Sequence, residues 1–174
     1  MHELEQNIDH ILLTEEQIQS KVREIAEQIS KDYAGKQLLL VGILKGSMPF
    51  MADLMRYLTI NAKIDFMSVS SYGNGTVSSG QVRIILDLNR PVENYDLLIV
   101  EDILDSGATL SYIREWLSIR KPRSFKIATL LDKPARRKPT YMPITAVLIY
   151  PMNLLSDTVW IMRKITAISP ISVY

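Results

Sequence analysis

Cysteine is absent from the chain, which excludes disulfides and thiolate metal sites but fixes no compartment. Long apolar runs are absent too. No stretch approaches the ~20 residues of a membrane-spanning helix, and the N-terminus lacks the apolar core of a signal peptide. A cytoplasmic protein with no membrane partner is therefore expected. Neither sign of charge dominates: 20 Lys and Arg face 19 Asp and Glu, for a net charge of +1. That leaves no electrostatic case for nucleic acid as a partner. There is no internal repeat and no low-complexity segment. What remains is a chain of 174 residues, 47% hydrophobic and 22% charged, in the range of a soluble globular protein. Its length suits one domain with a sizeable core.

Residues 97–110 organise that domain. Leu97-Leu98-Ile99-Val100 is apolar throughout, as a strand buried on both faces would be. Two adjacent carboxylates, Glu101 and Asp102, stand at its expected carboxyl end. Asp105-Ser106-Gly107-Ala108-Thr109 follows, small and rich in donors, and a helical pattern runs from Leu110 to about Arg120. Such a turn aims backbone N–H groups and a helix N-terminus at one spot, and Gly107 lets an anion approach the backbone. The paired acids suit a magnesium ion or sugar hydroxyls beside that anion. An ordinary helix N-cap also uses Ser, Gly and Thr; the two preceding acids argue against so bland a role.

The rest of the chain alternates strands with helices. Thr14-Glu15-Glu16-Gln17 is a capping box, and Ile18, Val22, Ile25 and Ile29 recur at helical spacing until Gly35. Residues 38–44 read as a buried strand, Lys45-Gly46-Ser47 as a second glycine turn, and residues 48–57 as a helix. Residues 64–73 alternate like a strand. Residues 74–80 are Gly, Ser, Thr and Asn apart from Val77, and residues 82–86 return as a strand. Residues 125–131 form a further apolar strand, ending at Asp132-Lys133-Pro134. This order predicts an α/β fold with a mostly parallel sheet, and both anion loops fall at strand carboxyl ends.

Residues 97–110 resemble the phosphoribosyl-diphosphate (PRPP) signature of type I phosphoribosyltransferases: apolar strand, two acids, two apolar residues, Asp, Ser or Thr, Gly, any residue, Thr. Gly42-Ile43-Leu44-Lys45-Gly46-Ser47 resembles the pyrophosphate loop of the hypoxanthine-guanine branch, and Leu130-Leu131-Asp132-Lys133-Pro134 its purine-selecting segment. The resemblance implies a central, mostly parallel sheet with helices on both faces. It also implies transfer of 5-phosphoribose from PRPP to a 6-oxopurine, with Mg2+ as cofactor and a homodimer or homotetramer as assembly. Glu101 and Asp102 would hold metal and ribose hydroxyls. Asp105, Ser106, Gly107, Ala108 and Thr109 would hold the 5-phosphate, with Asp105 also the general base. Lys45 and Gly46 would face pyrophosphate, Ser71-Tyr72 would begin a closing lid, and Lys133 would recognise the purine oxygen. Two other classes compete: a non-catalytic PRPP-sensing regulator on the same fold, and an unrelated nucleotide-binding α/β protein.

The resemblance stops after Lys138. Residues 139–174 hold one of the chain's 19 acidic residues, Asp157, and none of its 7 glycines. The family would continue with a strand, an aromatic that stacks on the purine and an Asp at the metal. The genetic code supplies a reading. Joining the last base of each codon to the first two of the next, Tyr150-Pro151-Met152-Asn153 permits Pro, Asn or Asp, then a forced Glu. Leu154 to Trp160 permits Phe-Val-Val-Gly-Tyr-Gly-Leu, and Ile161 onward permits Asp-Tyr and then Tyr-Arg-Asn-Leu-Pro-Tyr-Ile-Gly-Val after a short spacer. That is the missing pattern, in order. The expected division is a phosphoribosyltransferase core, residues 1–138, and an aberrant segment, residues 139–174, read out of frame; a genuinely divergent C-terminus is the alternative.

Overall fold

The computed structural model describes residues 13–72, 81–133 and 150–151, with only the backbone described at residues 71, 72, 81, 150 and 151. The N-terminal residues 1–12, residues 73–80, where the lid is expected, and most of the segment after Lys133 lie outside the described residues.

Helix α1 spans Glu15–Asp32. Its start is a complete capping box: the Gln17 N–H donates to Thr14 Oγ1 at 3.3 Å, and the Thr14 N–H donates to Gln17 Oε1 at 2.8 Å. Val22, Ile25 and Ile29 form its buried stripe. The helix closes at Asp32, and Gly35 follows in the turn at φ +72°. Strand β1 is Leu38–Leu44, helix α2 Met48–Tyr57, and strands β2 and β3 are Ala62–Tyr72 and Gln81–Leu86. Strand β4 is Asp96–Leu104, helix α3 Ala108–Ser118, strand β5 Ser124–Asp132, and β6 the pair Tyr150–Pro151.

The sheet order is β3-β2-β1-β4-β5-β6. All neighbouring pairs are parallel except β2 and β3, which pair antiparallel. Alternate side chains of the central strands feed two cores. Leu38, Leu40, Leu98 and Val100 pack under α1 and α2, while Leu39, Val41, Leu97 and Ile99 pack under α3. The helices therefore cover both faces, as the family resemblance implies. β1 and β4, buried on both sides, are apolar without alternation because no face of theirs meets water.

Two expectations need correction. β4 does not end at Glu101 and Asp102 but runs on to Leu104. Ile103 and Leu104 still pair with Leu131 and Asp132 of β5, so the ladder continues past the acids that interrupt the apolar run. Helix α3 begins at Ala108, two residues before the apolar periodicity starts, and ends at Ser118.

Candidate active site

Strand order and connection together place the site. The β1-to-β2 connection runs through α2 on one face of the sheet, and the β4-to-β5 connection through α3 on the other. The connections therefore diverge between β1 and β4, which are hydrogen-bonded neighbours. Such a switch point opens a crevice at the strand carboxyl ends. The Lys45-Gly46-Ser47 turn leaves β1 there and the Asp105–Thr109 loop leaves β4 there, so the two proposed anion loops lie on adjacent strands.

The loop after β4 is built to leave amides exposed to a ligand. Gly107 is the N-cap of α3 at φ +84°, a conformation that a side chain would strain. No side chain caps the helix. The Ser106 hydroxyl accepts only a long bond from the Ala108 N–H, at 3.4 Å, and the Gly107 carbonyl accepts from the Ser111 N–H at 2.9 Å. A helix start with a positive dipole end and no capping oxygen is a receptor for an anion such as phosphate. Ser106, Ala108 and Thr109 are half-buried around it.

The carboxylates are arranged differently. Asp102 is 4% exposed and Glu101 is half-buried at residue level. Among the described residues, Glu101 Oε2 and Asp102 Oδ2 are buried without a hydrogen-bond partner. Burial, and then the charge of Asp102, push the Glu101 carboxyl well above the usual range. Burial also raises Asp102, against the opposing effect of the Asp102 and Ile103 backbone N–H groups. Orphaned carboxylate oxygens are costly unless something fills them. Hard oxygen donors of this kind fit a divalent cation that keeps waters and substrate oxygens in its shell. Among the described residues no group of three or more His, Cys, Asp or Glu could hold a metal, so the two acids would supply only part of a coordination sphere.

The second loop is simpler. Lys45 is exposed at the end of β1 and Gly46 half-buried. The buried Ser47 hydroxyl donates back to the Ile43 carbonyl at 2.7 Å, which pins the turn. The Leu44–Lys45 peptide is cis. Asp105 is half-buried one residue past β4. Lys133 follows β5, with its backbone N–H donating to the Leu104 carbonyl at 2.8 Å, immediately beside Asp105. Lys133 is buried, at only 2% exposed. Ser71 and Tyr72 end β2, paired with Val82 and Gln81. Two further buried polar residues, Thr129 and Asp132, stand on β5 beside this site without having been singled out. Thr129 was detectable as the one hydroxyl inside an apolar strand. Asp132 sat inside a recognised segment but carried no assigned role.

A family model described as "Phosphoribosyl transferase domain" matches residues 10–156. The chain belongs to the phosphoribosyltransferase family. This phosphoribosyltransferase is 52% identical over 134 residues to a hypoxanthine-guanine phosphoribosyltransferase of Streptococcus mutans, covering 77% of this chain and 74% of the relative. It is 51% identical over 135 residues to the Bacillus subtilis protein of the same name, covering 78% and 75%. In a bifunctional TilS/HprT protein of Listeria innocua the match is 52% over 131 residues, 75% of this chain but 20% of that one. A crystal structure of a hypoxanthine phosphoribosyltransferase from Staphylococcus aureus superposes with a TM-score of 0.78 at 49% identity, covering 85% of this phosphoribosyltransferase and 80% of that chain.

Proposed function

We propose that the core of this phosphoribosyltransferase transfers 5-phosphoribose from PRPP to hypoxanthine or guanine, the activity named in its S. mutans and B. subtilis relatives, releasing pyrophosphate. The observation that carries the reading is the uncapped start of α3 beside two buried carboxylates with unfilled acceptors, at the sheet's switch point.

Residues take roles by their chemistry. The amides and hydroxyls of residues 105–109 would bind the 5-phosphate. Glu101 and Asp102 would accept from ribose hydroxyls and ligate a magnesium ion. Magnesium, when bound, supplies positive charge opposite the diphosphate. As the C1–pyrophosphate bond lengthens, negative charge grows on the leaving group, and Lys45 with the Gly46 turn would stabilise it. Asp105 would accept the purine N7 proton, and Lys133 would donate to the exocyclic oxygen. A lid beginning at Ser71-Tyr72 would exclude water from the activated sugar. The expected assembly is a homodimer or homotetramer.

The same reading takes residues 139–174 as text out of frame. The core would then bind PRPP, while the aromatic stack and second carboxylate that complete the purine site are missing. A non-catalytic PRPP-binding protein is the second reading, favoured by that missing string; a retained Asp105 and Lys133 argue for an enzyme. Titration calorimetry with magnesium and PRPP, with ATP as control, tests the core. Release of pyrophosphate from PRPP plus hypoxanthine tests catalysis. PRPP binding that ATP matches would sink the assignment.

A further inference from the structure

We propose that Thr129 is a positioning residue for the PRPP site, acting through the end of β5; the proposal rests on the functional reading above. Thr129 is completely buried, the only hydroxyl within the run from Ile127 to Leu131. It pairs in register with Glu101 on the neighbouring strand β4. Directly paired residues of a sheet share a face, so Thr129 flanks Glu101. Yet its one donor is not given to that carboxylate. Thr129 Oγ1 donates to the Leu131 carbonyl at 2.9 Å.

This choice of acceptor has two consequences. First, the hydroxyl serves the backbone rather than Glu101, whose Oε2 has no hydrogen-bond partner among the described residues. Second, the bond to Leu131 fixes the backbone two residues before Lys133. From there the Lys133 N–H grips the Leu104 carbonyl at 2.8 Å, next to Asp105. The residue paired with Glu101 therefore ties, through Leu131, Asp132 and Lys133, to the end of β4 just before the phosphate loop. A residue kept only for packing would be served by valine, which has the same shape.

The test compares Thr129→Val with Thr129→Ser by calorimetry of magnesium and PRPP binding to the full chain. Valine keeps shape and loses the hydroxyl; serine keeps the hydroxyl and loses the methyl. Valine is expected to weaken PRPP binding about tenfold, the size of one lost hydrogen bond to a buried acceptor, and serine to stay within about threefold. Amide exchange at Lys133 is expected to speed up in the valine variant alone, which gives a local readout independent of affinity. A valine variant that binds PRPP as the unsubstituted chain does, or a serine variant that weakens it equally, overturns the proposal. Should Thr129→Val fail to fold, Thr129→Ala replaces it, with the same comparison to serine. Failure of the unsubstituted chain to bind PRPP overturns the functional reading, and the proposal with it.

Discussion

Glu101 shows what a single residue contributes and costs. Its carboxyl is held well above the ordinary range by burial and by the Asp102 charge. An acid whose folded-state pKa is raised stabilises the fold below its unfolded value. That contribution is lost as pH rises through the raised folded value. Raising the pH above the ordinary carboxyl range therefore costs the ligand-free protein stability. Glu101→Gln removes the titration. The unsubstituted protein is expected to melt progressively lower as pH rises from the ordinary carboxyl range to about 8, and the glutamine variant to show a flatter profile. The same variant is expected to bind PRPP at least about tenfold more weakly, because the amide cannot replace a charged acceptor. Melting curves across that pH range check the first outcome and calorimetry the second; a parallel pH profile would contradict the burial argument. Gly107 makes a second case. At φ +84° an alanine is expected to cost about 1–2 kcal/mol of stability, seen in denaturant unfolding, and to crowd the anion-binding amides.

At the scale of elements, patterns that arise within one segment were legible and those that depend on neighbours were not. The capping box at Thr14 and Gln17 is a local device, and it forms as its spacing predicts. Thr14→Ala should therefore lower stability by about 1 kcal/mol, a shift of roughly 2–4 °C in a chain of this size, with PRPP affinity unchanged. Differential scanning fluorimetry reads the first effect. β1 and α2 also have the predicted limits, because Gly46 and Ser47 punctuate a uniformly apolar run. β4 overran its prediction because Glu101 and Asp102 look like a strand end until β5 is beside them. The burial of Lys133 was hidden for the same reason: it follows from where β5 docks, not from its neighbours in sequence. Gly42 lies in the segment that resembles a pyrophosphate loop, yet its structural reason is contact. A Cβ there would lie 2.8 and 2.9 Å from ring carbons of Phe66 and 3.2 Å from the Met51 methyl. Gly42→Ala is expected to destabilise by about 1–3 kcal/mol through overpacking of β1 against Phe66 of β2 and Met51 of α2. Urea unfolding measures it.

At the scale of the whole molecule, the question is whether the two halves of a bisubstrate site can separate. The proposed PRPP loops and carboxylates lie on or next to β1, β4 and α3, all within residues 38–118, and rest on two cores to which α1, α2 and β5 also contribute. In the proposed function, purine recognition joins Lys133 to residues beyond Lys138, the segment proposed to be read out of frame. If residues 139–174 are out of frame, a one-base correction near codons 136–140 should restore a purine site without altering the PRPP site. The chain as given and the corrected chain are then expected to bind PRPP with affinities within about threefold of each other, a difference smaller than one hydrogen bond. Only the corrected chain should bind a 6-oxopurine nucleotide and form nucleoside monophosphate at a measurable rate. Calorimetry with each ligand, and pyrophosphate release with hypoxanthine, separate these outcomes. Equal turnover by both chains would show that residues 139–174 complete the purine site in their present wording. Loss of PRPP binding in the chain as given alone would show that the core depends on the tail for its folding.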